Sequence, residues 1–450
     1  MINKFNNIFI YLFLFVPLFL ITGPALPDII ITFSSIYFLL YFILIKKNYF
    51  IFKENLFLIS IFFWLILILI SFFAVDRVES FQDSIIFIRF LLIPIVGYYF
   101  LLDKQKNIKK LIYILFILVC FVMIDSMFQF LNYSSEYGFG NDLLGFKSEW
   151  YGRLTGPFGD ELVPGVFISR FGLIGYLIFF YIKENKINFY LEIIYLSSIG
   201  IVCFATGERM ALATYFLALL FLFIFFKGKR NIFILSIILS ILIIFIINKN
   251  HPFYNDYKVL SSSEYHQGLV VEKSYKCKEG SNEICNKLIK LQPNFLVVLK
   301  NFDTSAYGEI YNLAFKMFMQ NPLTGVGISN YQSACLNIPK FKKEMKNYDC
   351  ASHPHNIYVQ WLSEGGLITL TTFLFYLYII FYTIQKKQNK LKYISLAILL
   401  IIFWPIMSTG SLIKNWNGVF SFYIITISIV LTNLQVRKNN IDVLQKNSSN

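Results

Sequence analysis

Two imidazoles stand two residues apart in Ser352-His353-Pro354-His355-Asn356, and the 450-residue chain has only four histidines. A neutral imidazole suits proton abstraction from a hydroxyl near neutral pH. A second polar group, Thr206-Gly207-Glu208-Arg209, forms a very short turn. Its arginine offers a planar fork of donors that matches phosphate oxygens, including those of anionic lipid headgroups. A third stretch, Tyr151-Gly152-Arg153-Leu154-Thr155-Gly156-Pro157-Phe158-Gly159-Asp160-Glu161, carries a cation and two carboxylates on a Gly- and Pro-rich loop. Each has a plainer alternative: a histidine that only caps a helix, an arginine that snorkels while paired with Glu208, a turn with a solvated arginine.

The elements that must position these groups are membrane helices. The chain is 57% hydrophobic and 15% charged, too little charge to cover a soluble domain of that size. The apolar residues fall into runs long enough to cross about 30 Å of hydrocarbon as helices. The expected spans are 8–22, 29–45, 56–74, 84–102, 111–131, 163–182, 188–205, 210–226, 231–247, 357–384, 391–409 and 417–434. Pro17, Pro94 and Pro405 fall inside them and are expected to kink helices rather than end them. The fold class is therefore all-α, a polytopic bundle of about twelve transmembrane helices with a large outer loop.

The net charge of +14 does not indicate nucleic acid, because the lysines cluster in alternate short loops. Lys46, Lys47 and Lys53, then Lys104, Lys106, Lys109 and Lys110, then Lys227, Lys229 and Arg230 alternate with loops poor in cations. That is the positive-inside pattern, and it predicts both termini in the cytoplasm. The organisation that follows is 1–247 with nine spans and an outer loop at 132–163, an outer segment at 248–356, three spans in 357–434, and a tail at 435–450. In the outer segment, Ile310 to Met319 has helical spacing ended by Asn321-Pro322, and the stretch from Ser261 to Asn294 reads as irregular. Cys277, Cys285, Cys335 and Cys350 also lie there, and in an oxidising compartment they are expected to form Cys277–Cys285 and Cys335–Cys350. Arg89, Asp125 and Arg170 are charges inside runs; Arg89 with Asp125 reads as a buried pair, and Arg170 as a lining of a lipid-phosphate groove. No paired-aspartate, Walker or Rossmann pattern occurs, so neither a bound metal nor a nucleotide cofactor is expected.

Taken together, these segments resemble the O-antigen ligase and polymerase superfamily of bacterial envelope enzymes. The family's ligases show His-Asn, nine residues, Gly, two residues, then Gly, Thr or Tyr, which here is His355-Asn356, Gly366 and Thr369. Asn321-Pro322-Leu323-Thr324-Gly325-Val326-Gly327 looks like the family's Asn-Pro-Leu-x-Gly-x-Gly turn, and Arg153-Leu154-Thr155-Gly156 like its Arg-x-x-Gly segment. Arg209 falls where the family has an Arg after a short turn, whereas Tyr307 occupies a position where many relatives carry a second Arg. The resemblance implies transfer of a glycan from an undecaprenyl-diphosphate carrier to a hydroxyl of a lipid or glycan acceptor, such as lipid A-core. The reaction would run on the periplasmic face of the inner membrane, with inversion and without metal. His355 would be the base and Arg209 the group that stabilises the departing diphosphate. Arg153, Arg170, Asn356, His353, Asp160 and Glu161 would bind substrate. Polymerisation of carrier-linked repeat units is the sister reading. Transport of lipid-linked sugars would call for inverted repeats and broken spans, which the sequence does not display.

Overall fold

A computed structural model describes residues 2–46, 52–102, 105–134, 138–148, 152–181, 186–254, 257–260, 271–274, 287–290, 302–345 and 349–434. Each apolar run is helical over most of its length, because in hydrocarbon a backbone can satisfy its polar groups only within itself. The first run is split: Ile2–Leu14 stops at Phe15, and Val16–Ile21 restarts with Pro17 in its first turn, where no N–H is needed. Ala25–Leu40, Asn55–Ser71, Ile88–Leu102, Gln105–Leu131, Pro164–Gly175, Lys186–Ala205, Arg209–Phe225, Arg230–Asn250, Ile357–Gln385 and Asn415–Leu431 correspond to the expected spans, with the span at 163–182 turning from α-helix to 3-10 helix over Tyr176–Phe180.

Among the described residues, five helical stretches are long and apolar enough to cross a membrane, and six shorter apolar helices accompany them. The chain is a multi-pass membrane protein. Its outer wall agrees: on Arg230–Asn250, Leu235, Ile238, Leu242 and Phe245 are exposed, a costly face in water and an ordinary one in lipid. The inner face of the same helix uses small residues. The Ser240 hydroxyl donates to Ser197 O and the Ser197 hydroxyl to Ser236 O, both at 3.2 Å, so the two backbones approach closely. Asn415–Leu431 is the central helix, buried continuously from Gly418 to Leu431, and it packs on Ile88–Leu102 and Lys392–Ile402.

Four expectations need correction. The run at 391–409 is helical only over Lys392–Ile402, so Pro405 lies beyond the helix rather than kinking it. Arg89 does not pair with Asp125: its Nε donates to Asp28 Oδ1 at 2.6 Å and its Nη2 to Asn415 Oδ1 at 2.9 Å. Asp125 instead accepts from the Leu143 N–H at 3.0 Å, in the loop outside the membrane helices. Some strand is also present: Tyr133–Ser134 pairs with Gly138–Phe139, and Lys287–Lys290 pairs with both Tyr257–Leu260 and Val271–Ser274. Val271–Ser274 and Lys287–Lys290 lie within the stretch read as irregular.

The described part of residues 302–356 has its own small core. Ser305 caps the helix Ala306–Gln320 by accepting from the Gly308 N–H at 3.1 Å. Leu313, Met317, Tyr331, Cys335 and Phe341 bury one another there. Cys335 and Cys350 form a disulfide with Cα atoms 5.9 Å apart, while Cys277 and Cys285 lie outside the described residues. Cys350 stands five residues before His355, so the bridge anchors the strand that enters the site. Replacing both cysteines with serine is expected to cost about 3 kcal/mol for a loop of this length. Thermal unfolding of the purified protein measures it, and an unchanged midpoint would refute the contribution.

Candidate functional site

The His-Asn corner is held from three sides. Asn356 is the N-cap of the Ile357–Gln385 helix, and its Oδ1 accepts from the N–H groups of Tyr358 at 2.9 Å and Val359 at 3.1 Å. Its Nδ2 donates to Pro405 O at 2.8 Å and Met407 O at 3.1 Å. The Thr409 N–H donates to His355 O at 2.7 Å, Tyr358 Oη to Phe403 O at 2.6 Å, and Gln360 Nε2 to Ser411 Oγ at 2.8 Å. The unwound stretch after Ile402, read from sequence as helix through 409, is therefore a clasp over the histidines. Its signals were Pro405 and the polar run Ser408-Thr409-Gly410-Ser411.

His355 itself has φ 54°, a left-handed conformation that costs a side-chain-bearing residue of order 1 kcal/mol and persists only where the surroundings impose it. Its ring lies 4.2 Å from that of His353, centroid to centroid, and 5.7 Å from Tyr307 in an edge-to-face contact. Tyr307 also accepts a hydrogen bond from the Ser408 hydroxyl at 3.1 Å. Burial lowers the His355 pKa below the usual imidazole value. His353 falls further, to about 4, first through burial and then through the charge of His355.

The Asn-Pro-Leu-Thr-Gly-Val-Gly turn docks on the same helix one step further in. Val326 N–H donates to Ser363 O at 3.0 Å, Gly327 N–H to Glu364 O at 2.8 Å, and Leu367 N–H to Pro322 O at 2.9 Å. These bonds reach into the helix because Gly366 opens it, at φ 63° and ψ −163°. Only glycine occupies that region without strain. A Cβ on Gly366 would also meet the Leu323 carbonyl at 2.3 Å. Gly366→Ala is therefore expected to lose about 3 kcal/mol or more of stability, read as loss of folded protein in membrane extracts; normal accumulation would contradict it. Sequence reasoning missed the buried Glu364, whose Oε2 accepts from the Ser329 N–H at 3.0 Å and Gln360 Nε2 at 3.1 Å. An acidic residue inside an apolar run was the available signal.

The arginines gather around Glu208. Its Oε1 accepts from the Gly165 N–H at 2.8 Å and its Oε2 from the Val166 N–H at 3.2 Å, at the start of the Pro164–Gly175 helix. The carboxylate thus turns into the protein and caps a helix, a role the reading as a partner of Arg209 did not foresee. Burial pushes Glu208 up to about 7, against the opposing pull of Arg153, those two hydrogen bonds and Arg170. Gly207, at φ 77°, lies so near Gly152 that a Cβ would meet its carbonyl oxygen at 2.6 Å, and Leu154 N–H donates to Thr206 O at 3.2 Å. The two short polar segments are thereby locked together, and Arg153 and Arg209 are near enough to feel each other's charge. Arg170 is buried, its guanidinium 5.1 Å above the Phe420 ring. Arg209 is exposed as the first residue of its helix. Asp160 and Glu161 are exposed on the turn after Gly159.

The structure thus builds two clusters, His353, His355 and Asn356 in one and Arg153, Arg170 and Arg209 in the other. One stretch of chain joins them, from the clasp at Phe403 to Phe420 beneath Arg170. No curated protein matches the chain. Residues 194–374 match the family model for O-antigen ligase, a span that runs from the helix before Arg209 past His355 and Thr369. That match supports a relationship to the O-antigen ligase superfamily over this part of the chain.

Proposed function

We propose that the protein transfers a glycan from an undecaprenyl-diphosphate carrier to an acceptor hydroxyl at the outer face of the inner membrane, with both termini in the cytoplasm. The observation that carries this reading is that one O-antigen ligase domain contains both Arg209 and His355. A sugar leaving a diphosphate needs little acid assistance, because the leaving group is a weak base. It needs cations where negative charge accumulates, and Arg209 supplies them, with Arg153 and Arg170 behind it. The acceptor hydroxyl gives its proton to His355 as its oxygen attacks the anomeric carbon from the face opposite the diphosphate. One displacement inverts that carbon, and cleavage of the carrier bond drives it. Asn356 and His353 hold the base and its surroundings, while Asp160 and Glu161 follow Arg153 on the same loop.

Polymerisation of lipid-linked repeats uses the same chemistry with a different acceptor. The His355-Asn356, Gly366, Thr369 spacing favours the ligase. Surface polysaccharide of a deletion strain discriminates: full-length polymer left on the carrier is expected for a ligase, and a single repeat attached to the acceptor for a polymerase. Unchanged surface polysaccharide would remove both.

A further inference from the structure

The Lys186–Ala205 helix is 20 residues long, so about 30 Å separates its start from the Thr206–Arg209 turn, one thickness of hydrocarbon. At that start lies a cavity of about 540 Å³, lined by Lys186, Asn188, Glu192, Lys227, Lys229 and Arg230 among others. Among the described residues, Glu192 is the sole carboxylate in its lining, and it is engaged: Lys229 Nζ lies 2.7 and 2.9 Å from its two oxygens, and Tyr176 Oη donates to it at 2.5 Å. Three further cations face the cavity without a lining carboxylate to balance them.

Backbone polarity adds to the imbalance. The lining takes in the first turn of Lys186–Ala205 and the first turn of Arg230–Asn250, and neither turn holds an acidic residue. The positive ends of two helix dipoles therefore meet lysine and arginine, where acidic residues are normally favoured. Arg230 is fixed in place, since its Nε donates to Phe223 O at 2.9 Å and its Nη2 to Ile224 O at 3.3 Å. A concave site with this potential is complementary to a phosphate group. Its volume lies within the range of small-molecule pockets, about 300–1,000 Å³, and exceeds what one phosphate fills. Beside it, Ile187, Tyr190, Leu191 and Ile194 form an exposed apolar strip along the helix, leading from the cavity into the hydrocarbon.

We propose that this cavity binds the phosphate of an anionic phospholipid headgroup, at the membrane face opposite the Arg209 turn, with the acyl chains along that strip. The site is independent of the glycan chemistry. The test places the full-length protein in nanodiscs of zwitterionic lipid, with and without phosphatidylglycerol, and reads bound phosphatidylglycerol by native mass spectrometry alongside thermal midpoints. Lys186→Gln with Lys227→Gln is the variant, since both residues are exposed. Lys229 is left alone, because removing it would strand buried Glu192. Lys386→Gln with Lys387→Gln is the charge-matched control. The expected result is phosphatidylglycerol binding about tenfold weaker in the first pair and unchanged in the control. Equal binding and equal stabilisation in both pairs would overturn the site. Protection by inorganic phosphate in detergent, with no response to phosphatidylglycerol, would overturn the lipid assignment and leave a soluble phosphate as the ligand.

Discussion

His355→Ala is expected to lose nearly all transfer, about 10² to 10⁴ in rate, while the protein still accumulates and binds the carrier lipid. The bonds that hold this corner do not use the imidazole. The Thr409 N–H bonds the His355 backbone carbonyl, and Asn356 makes the cap and both clasp contacts. Removing the ring therefore removes the proton acceptor and leaves its frame. His353→Ala should cost much less, since burial and the neighbouring His355 lower its pKa to about 4 and make it the weaker base. The pH profile provides a second reading. Burial stabilises the neutral imidazole of His355, so the free base persists to lower pH than in water. Rate is therefore expected to rise with pH through a midpoint below about 6.5 and to be level at neutrality. A midpoint above the ordinary imidazole value would count against His355. If the His353 variant is inactive and the His355 variant active, the roles are exchanged; if both are active, the base is elsewhere.

The helices were legible because lipid leaves the backbone few options. An apolar run of the required length becomes helix whatever its residue propensities, even in runs as rich in Phe and Ile as these. The same logic fails where an apolar stretch is buried in protein instead. Phe403, Met407 and Leu412 are as hydrophobic as any span, yet they sit in a clasp whose backbone carbonyls are satisfied by Asn356 and Tyr358, while Gln360 holds the Ser411 hydroxyl. Hydropathy reads the side chain and cannot see who satisfies the backbone. Partner choice was illegible for a related reason. Arg89 and Asp125 have suitable charges, but which helices are neighbours is set by packing, and packing put Asp28 beside Arg89. The motif residues were found by spacing, whereas the purpose of that spacing was not. Gly366 stands at that distance from Asn356 because the helix opens there to receive the carbonyls and N–H groups of the Asn-Pro turn.

Arg209→Ala is expected to reduce turnover by about 10² to 10³, more than it reduces protein level. Arg209 is exposed, so the substitution opens no cavity in the core. It also leaves Glu208 bonded to the Gly165 and Val166 N–H groups, and Glu208 holds the two loops in place. The guanidinium stands on the first residue of a helix, so the dipole of Arg209–Phe225 adds to its charge, and Arg153 adds a second cation nearby. That combination is worth little to a neutral glycan and most to a diphosphate as it gains charge on departure. The loss should accordingly appear in the turnover of bound donor rather than in donor affinity alone. Arg209→Lys should recover only part of the rate, because an ammonium supplies charge without the planar pair of donors. Glu208→Ala is the contrasting variant. It strips the cap from the Pro164–Gly175 helix and leaves buried Arg170 without the carboxylate whose charge supports it, so it should lower the amount of folded protein before it alters chemistry. Turnover at the wild-type level in Arg209→Ala would take Arg209 out of the mechanism and leave Arg153 and Arg170 to stabilise the leaving group.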